Sequence, residues 1–300
     1  MKTREITVGL VGNPNCGKTS LFNNITGANY HVANYPGVTV EKKEAKIKHS
    51  GEEFVIVDLP GTYSLSPYSL EEKVARDYVV NEKPDVIINV LDASNIERNL
   101  YMFVQFMEMG APVMAALNMV DVAKLRKINI DIKALGEKLN VPVIETVARE
   151  NKGTKELLDE VAKFGASQKK SSPLDISYGP DIDEVLVKME TKIKDAGFMT
   201  AKYLPRWVAL KYLENDEQIV SEGAETGGVH HELSAMAEKL NSHIKTTQKT
   251  TAENLIADYR YGYISSILKS VVSHEDSPLD RLYLSDRIDQ VLTNKVLGPM

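Results

Sequence analysis

The chain has one cysteine, Cys16, in 300 residues. That excludes an internal disulfide framework and suits a reducing compartment. Long hydrophobic runs are also missing. The longest, around residues 86–91 and 111–117, fall far short of the roughly 20 apolar residues a membrane-spanning helix needs. No signal peptide is visible, because Lys2, Arg4 and Glu5 lead directly into the first apolar run. Positive charge is not in excess: 36 basic against 42 acidic residues leave a net charge of −6, which argues against a nucleic-acid wrapper. Repeats and low-complexity tracts are absent. What is present, 43% hydrophobic and 26% charged residues, is the composition of a soluble globular protein with one large or two ordinary domains.

One stretch organises the rest. Ile6, Val8, Leu10 and Val11 form a short apolar run ending at Gly12, and Leu21, Phe22 and Ile25 follow at helical spacing. Between them, Gly12-Asn13-Pro14-Asn15-Cys16-Gly17-Lys18-Thr19 fits G-x-x-x-x-G-K-[ST], and Ser20 extends it. Strand, glycine loop and helix in that order make a phosphate cradle. The glycines let successive N–H groups point at one spot, and the helix N-terminus adds positive dipole there. Lys18 is placed to reach β- and γ-phosphates and the Thr19 hydroxyl to hold Mg²⁺. Cys16 sits inside this loop, so its backbone matters more than its thiol.

Downstream, apolar strand patterns alternate with helical ones up to residue 164, which predicts a mostly parallel sheet covered on both faces. Residues 27–39 read as a mobile loop. Residues 40–48 and 54–57 read as a hairpin with one charged edge strand. Strands are expected at 86–91, 113–117 and 142–146, six in all, with helices at 70–79, 100–107, 130–139 and 154–164. Residues 166–180, rich in Ser, Gly, Pro and Lys, read as a linker between a domain at 1–165 and another at 181–300. Strand signals then disappear. Helical stripes run through 182–193, 207–213, 233–244, 255–272 and 284–297, with a polar loop at 223–228.

Three further motifs carry chemistry. Asp58-Leu59-Pro60-Gly61 closes a strand, where the aspartate can hold Mg²⁺ through water and the Gly61 N–H can meet the γ-phosphate. Asn118-Met119-Val120-Asp121 follows a buried strand. Asp121 can accept from both guanine N1–H and N2–H₂, a pair of donors that adenine does not supply, which disfavours an ATPase. Met119 stands where the usual N-K-x-D has lysine. Thr146-Val147-Ala148-Arg149 occupies the place where a backbone N–H meets guanine O6, with Val147 in place of the common serine. Thr39 is the natural hydroxyl to complete the Mg²⁺ shell when triphosphate is bound. Thr62 stands where small GTPases of the Ras type carry a water-positioning glutamine. His230 and His231, the tyrosines at 259, 261 and 263, and the basic stretch 124–127 read as solvated or packing residues.

Together these segments resemble the ferrous-iron transport protein B (FeoB) family. The likeness rests on Asn13 to Thr19, on Asn34-Tyr35-Pro36-Gly37-Val38-Thr39-Val40-Glu41, on residues 58–65, on Pro67-Tyr68-Ser69-Leu70-Glu71-Glu72-Lys73-Val74-Ala75-Arg76-Asp77-Tyr78, and on Asn118 to Asp121. It extends loosely through residues 258–261 and 285–289. The resemblance implies a Ras-like P-loop GTPase domain followed by a small all-helical regulatory domain. It further implies a position at the cytoplasmic face of the cell's inner membrane, an attached transmembrane channel domain, and a small accessory protein. The ending at Met300 then looks like a cut before the first membrane helix. Some proteins of this kind hold K⁺ on the asparagine at the position of Asn15, where an arginine finger sits in other GTPases. The expected activity is hydrolysis of GTP to GDP with Mg²⁺, controlling ferrous-iron import. Two alternatives stand beside it: a slow nucleotide-sensing switch, favoured by Thr62, and a ribosome-assembly or tRNA-modifying GTPase, disfavoured by the acidic helical extension.

Overall fold

The computed structural model describes residues 5–35, 37–66, 69–166 and 173–274. In chain order the strands are β1 (Glu5–Gly12), β2 (His31–Asn34), β3 (Glu41–His49), β4 (Glu52–Asp58), β5 (Val86–Asp92), β6 (Val113–Asn118), β7 (Ile128–Ile130), β8 (Val143–Glu145) and β9 (Val272–His274). The helices of the first part are α1 (Lys18–Thr26), α2 (Leu70–Asp77), α3 (Ile96–Glu108), α4 (Val120–Leu125), α5 (Ile132–Leu139) and α6 (Thr154–Ala166). Those of the second are α7 (Pro180–Ala196), α8 (Pro205–Leu213), α9 (Glu217–Thr226), α10 (His230–Gln248) and α11 (Ala252–Val271).

Seven strands form one sheet in the order β2-β3-β4-β1-β5-β6-β8. β1 pairs in parallel with β4 and β5, β5 with β6, and β6 with β8, while β3 runs antiparallel to both β2 and β4. The continuous apolar runs of β5 and β6 are buried on both faces, as a parallel sheet flanked by helices requires. On one face, Ile6, Val8 and Leu10 meet Leu21 and Phe22 of α1 and Leu157 and Val161 of α6. On the other, α3 lies over the sheet, and its core continues without a break into the helical part through Trp207, Leu210, Ile256 and Ile264.

Several elements differ from the sequence reading. The sheet has seven strands rather than six, because His31–Asn34 adds β2 to the charged edge of β3. All four of its residues are exposed, so no alternation of apolar and polar residues marks it. The helix expected from residue 130 begins at Ile132 behind the Asp131 cap, and Ile128–Ile130 pairs with β9 instead. Leu70, expected on the inner face of α2, is 51% exposed. That helix passes into a π-helical turn, Tyr78–Glu82, and it is Tyr78, Val79 and Val80 that are buried. Gly223 belongs to α9 rather than to a loop, where its bare backbone lies against the Tyr212 hydroxyl; a Cβ would sit 2.0 Å from that oxygen. Residues 284–297 lie outside the described residues.

Within the stretch read as a linker, Leu174 donates its N–H to the Met107 carbonyl at 3.0 Å, and Ile176 and Tyr178 are buried against α3. α3 therefore touches both parts of the molecule. Its outward side meets α11, where Tyr101 stacks on Tyr261 with centroids 4.9 Å apart and Glu97 accepts from Ser265 at 2.7 Å.

Candidate functional site

β1 ends in the middle of the sheet, and the loop it releases turns back over α1. Gly12 and Gly17 are both required there. A Cβ on Gly12 would meet the Val90 carbonyl at 2.9 Å, and Gly17 has φ of 88° and lies so close to Asn118 that a Cβ would meet its Nδ2 at 2.2 Å. Asn15 also adopts a left-handed conformation, φ 66°, which asparagine tolerates better than most side chains. The resulting turn carries Pro14, Asn15, Thr19 and Ser20 outward with exposed side chains, and buries Asn13 and Cys16. Burial pushes the Cys16 thiol up to about 11, against the pull of Lys18, so the thiol is protonated and unreactive at neutral pH.

β4 delivers Asp58 to the same place. Its carboxylate contacts the Lys18 ammonium directly. Burial pushes the Asp58 carboxyl up, and the charge of Lys18 opposes that shift. Leu59 and Thr62 donate backbone N–H groups to the Leu10 and Gly12 carbonyls at 2.9 and 3.3 Å. This zips the turn after β4 onto the end of β1. Gly61 consequently lies over Pro14, where a Cβ would be 3.4 Å from the Pro14 backbone.

Asn118, at the end of β6, holds the third side of the site together. Its Nδ2 donates to the Cys16 carbonyl at 2.8 Å, while its Oδ1 accepts from the Ala148 N–H at 2.9 Å and the Thr146 hydroxyl at 3.3 Å. One buried amide thus ties the phosphate loop to the loop after β8. Met119, at φ 59°, turns the chain into α4 and presents Asp121. Asp121 Oδ2 is buried without an aligned hydrogen bond, although the Arg149 guanidinium approaches it to 2.5 Å. Val147 N–H is already given to the Lys152 carbonyl at 3.1 Å, so the backbone contact expected from Val147 is engaged elsewhere. Thr39 is exposed in the turn before β3.

Thr62 is the position where the tertiary structure says most. It is 4% exposed, and its hydroxyl points away from the loop to the Met102 sulfur at 3.0 Å. Around it the turn lies along α3. Leu65 donates its N–H to Gln105 Oε1 at 2.8 Å, and the Arg98 guanidinium sits 4.0 Å over the Tyr63 ring. Asn13 Nδ2 reaches the Arg98 carbonyl at 3.4 Å. Arg98, Met102 and Gln105 were not singled out in the sequence. The available signal was two amides, Asn99 and Gln105, among the apolar residues of 99–107, and both are buried. Among the described residues, no group of three His, Cys, Asp or Glu side chains is placed to hold a metal ion.

The donor set suits a nucleotide and its cation. The cradle has no room for side chains at Gly12 and Gly17, a lysine and a carboxylate meet at its head, and the Asp121 carboxylate beyond Asn118 has an oxygen with no aligned hydrogen bond. A phosphate loop between β1 and α1, an aspartate–glycine turn on its flank and an asparagine clamp, all on a mostly parallel sheet, define the G domain of a P-loop GTPase.

The comparisons with known proteins narrow this. A family model described as ferrous iron transport protein B matches residues 6–161, and one described as the FeoB cytosolic helical domain matches residues 178–273. The chain belongs to the ferrous iron transport protein B family. It is 40% identical over 298 residues to an Fe(2+) transport protein A/Fe(2+) transporter FeoB fusion protein of Porphyromonas gingivalis, covering 98% of this chain and 35% of that protein. It is 38% identical to the Fe(2+) transporter FeoB of Staphylococcus aureus, covering 96% of this chain and 42% of the relative. The chain therefore spans about two fifths of the length of these relatives. Among solved structures, the cytosolic domain of the T. maritima FeoB iron transporter in its GDP form II matches with a TM-score of 0.78 at 33% identity. That match covers 90% of this chain and all of the other. The L. pneumophila FeoB cytosolic domain matches with a TM-score of 0.76 at 36% identity, over 89% of this chain and 99% of the other.

Proposed function

We propose that the chain binds GTP and hydrolyses it to GDP and phosphate with Mg²⁺, activated by K⁺, and that its nucleotide state regulates ferrous-iron import through an attached membrane channel. The observation that carries this is the meeting of Lys18 and Asp58 beneath a glycine loop with no space for side chains. It gathers a cation for phosphate oxygens and a carboxylate for a metal shell at one helix N-terminus. Relatives solved in GDP and GMPPNP forms support guanine-nucleotide binding.

In this reading Lys18 holds the β- and γ-phosphate oxygens, and the backbone from Asn13 to Ser20 donates its N–H groups to them. Gly61 gives its N–H to the γ-phosphate. Thr19, Asp58 and, once triphosphate is bound, Thr39 would hold the Mg²⁺, which would supply charge neutralisation. Asn15 would offer its amide oxygen to K⁺, which would supply further positive charge to the developing transition state. Water attacks the γ-phosphorus in line, and the bond to the bridging oxygen of GDP breaks. The protons of the attacking water end on phosphate and solvent. Asn118, Met119 and Asp121 frame the guanine, the backbone of residues 147–149 passes its far edge, and the exposed Arg149 side chain turns away from the bound base.

The name of the P. gingivalis relative, a fusion of transport protein A with the transporter, supports a small accessory partner for this chain as well. Among the described residues no helix is long and apolar enough to cross a membrane; in this reading the iron path belongs to an attached membrane domain. A second reading, a slow nucleotide-sensing switch, is favoured by one observation: Thr62 faces Met102 and leaves no side chain at that position to orient water.

GTP turnover in K⁺ and in Na⁺, for native protein and Asn15→Ala, tests the reading. Stimulation by K⁺ that disappears in the variant supports it. Equal, slow rates in all four conditions would overturn the K⁺ role and leave the switch.

A further inference from the structure

Arg149 and the guanine base need the same atom. The Nη2 of Arg149 lies 2.5 Å from Asp121 Oδ2, the carboxylate oxygen assigned above to the base. A guanidinium presents neighbouring N–H groups in one plane, as the N1–H and N2–H₂ edge of guanine does, and a carboxylate accepts from one such edge at a time. Arg149 has a second acid at hand: Glu150 Oε1 is 3.8 Å from the same nitrogen, and Glu150 is itself held by Lys152 at 2.5 Å. Arg149 is 64% exposed, against 21% for Asp121, so it can swing toward Glu150 and solvent without opening the core. The backbone on which it rides stays fixed, because Asn118 holds the Ala148 N–H and Asn24 holds the Ala148 carbonyl at 2.6 Å.

We propose that Arg149 is a specificity-side latch on base recognition: its guanidinium competes with guanine for Asp121, and its transfer to Glu150 frees the carboxylate. This rests on the guanine-nucleotide reading of the site. The consequence is kinetic. Only the fraction of molecules with Asp121 released accepts the base, so the latch slows association and leaves dissociation alone. Arg149 is exposed and its N–H is not aligned on the oxygen, so the effect is modest. Its removal should speed association about two- to fivefold, the range that exposed ion pairs support.

The test is stopped-flow association and dissociation of a fluorescent GDP with nucleotide-free protein. Arg149→Ala and Arg149→Gln should each raise the association rate by that factor with the dissociation rate unchanged. Glu150→Gln should lower the association rate by removing the alternative partner. The same Arg149→Ala change placed in Asp121→Asn, which exchanges guanine for xanthine, should not alter association of XDP, since the amide does not hold the guanidinium. A faster dissociation in Arg149→Ala would show that Arg149 touches bound nucleotide, and would overturn the latch. So would an equal association rate in native protein and both Arg149 variants. Failure of native protein and every variant to bind GDP would instead sink the guanine-nucleotide reading, and the latch with it.

Discussion

Arg260 of α11 and Glu108 of α3 form a two-pronged ion pair sealed inside the molecule, 152 residues apart in the chain. The Arg260 Nε donates to Glu108 Oε1 at 2.9 Å and its Nη2 to Glu108 Oε2 at 2.8 Å. The remaining donor, Nη1, reaches Glu214 at 2.5 Å, and the Tyr178 hydroxyl also donates to Glu108. Nearby, Arg76 of α2 pairs with Asp216 at 2.6 Å, and Lys211 with Glu214 at 2.7 Å. The sheet-bearing and helical parts are thus joined by charges that have no water to fall back on.

Truncating one partner should therefore cost far more than truncating a surface charge. Arg260→Ala leaves Glu108 buried without its cation and Glu214 with Lys211 alone, and should lower unfolding stability by about 3–5 kcal/mol. Replacing Arg260 and Glu108 together with Met and Leu should cost less, because the Glu108 charge leaves with its partner and Glu214 keeps Lys211, although the Tyr178 hydroxyl loses its acceptor. Urea unfolding of the two variants measures this. Equal losses would mean that the pair acts through shape alone.

Acid should act through the same cluster. Burial by itself opposes ionisation of Glu214, but the Arg260 guanidinium and the Lys211 ammonium outweigh it and hold the carboxyl down at about 2, below its ordinary 4.5. A carboxyl lowered in the folded state contributes stability that is fully present above its unfolded value and is lost as pH falls toward the folded one. The contribution, on the order of 3 kcal/mol, should fade between about pH 4.5 and 2. Glu214→Gln should be less stable at pH 7 and show a shallower acid slope over that window. An unchanged slope would remove Glu214 from the account.

Restoring the glutamine of Ras-type enzymes should not help. Thr62 is buried and directed at Met102, so the longer side chain of Thr62→Gln has to displace α3 or the turn after Asp58. Overpacking of this kind costs about 1–3 kcal/mol. We expect a lower melting temperature and no gain in single-turnover GTP hydrolysis. A clear acceleration would mean that the turn rearranges on binding nucleotide and presents residue 62 to the water.

Gly17 offers a sharper probe of the site than any charged residue. In Gly17→Ala the new methyl would lie 2.2 Å from Asn118 Nδ2, at a left-handed φ. It should break the clamp from Asn118 to the Cys16 carbonyl and weaken GDP binding about tenfold or more, equivalent to at least 1.4 kcal/mol. Gly27→Ala is the control. Gly27 also has a positive φ but nothing within 4 Å, so stability should fall by about 1 kcal/mol with GDP affinity intact. Equal affinity losses in the two variants would contradict the clamp.

Much of this protein was decided within short stretches of chain. The phosphate loop, the aspartate–glycine turn and the asparagine–aspartate pair each depend on local chemistry. Gly17 must bend where side chains do not, Lys18 must open a helix, and Asn118 must follow a buried strand, so spacing alone carried them. The alternation of apolar runs likewise predicted a parallel sheet, because strands covered on both faces need continuous hydrophobic sequence. β2 escaped because an edge strand exposed on both faces owes its existence to backbone pairing with β3, and backbone pairing leaves no mark on side chains. Gly223 looked like a turn, and the Tyr212 hydroxyl lying over it decided otherwise. The direction of Thr62, the bond between Arg260 and Glu108 and the approach of Arg149 to Asp121 all join elements that meet only when the chain has folded. Sequence determined which groups exist at the site. Only tertiary structure decided which of them face the ligand, which face the core, and which already hold one another.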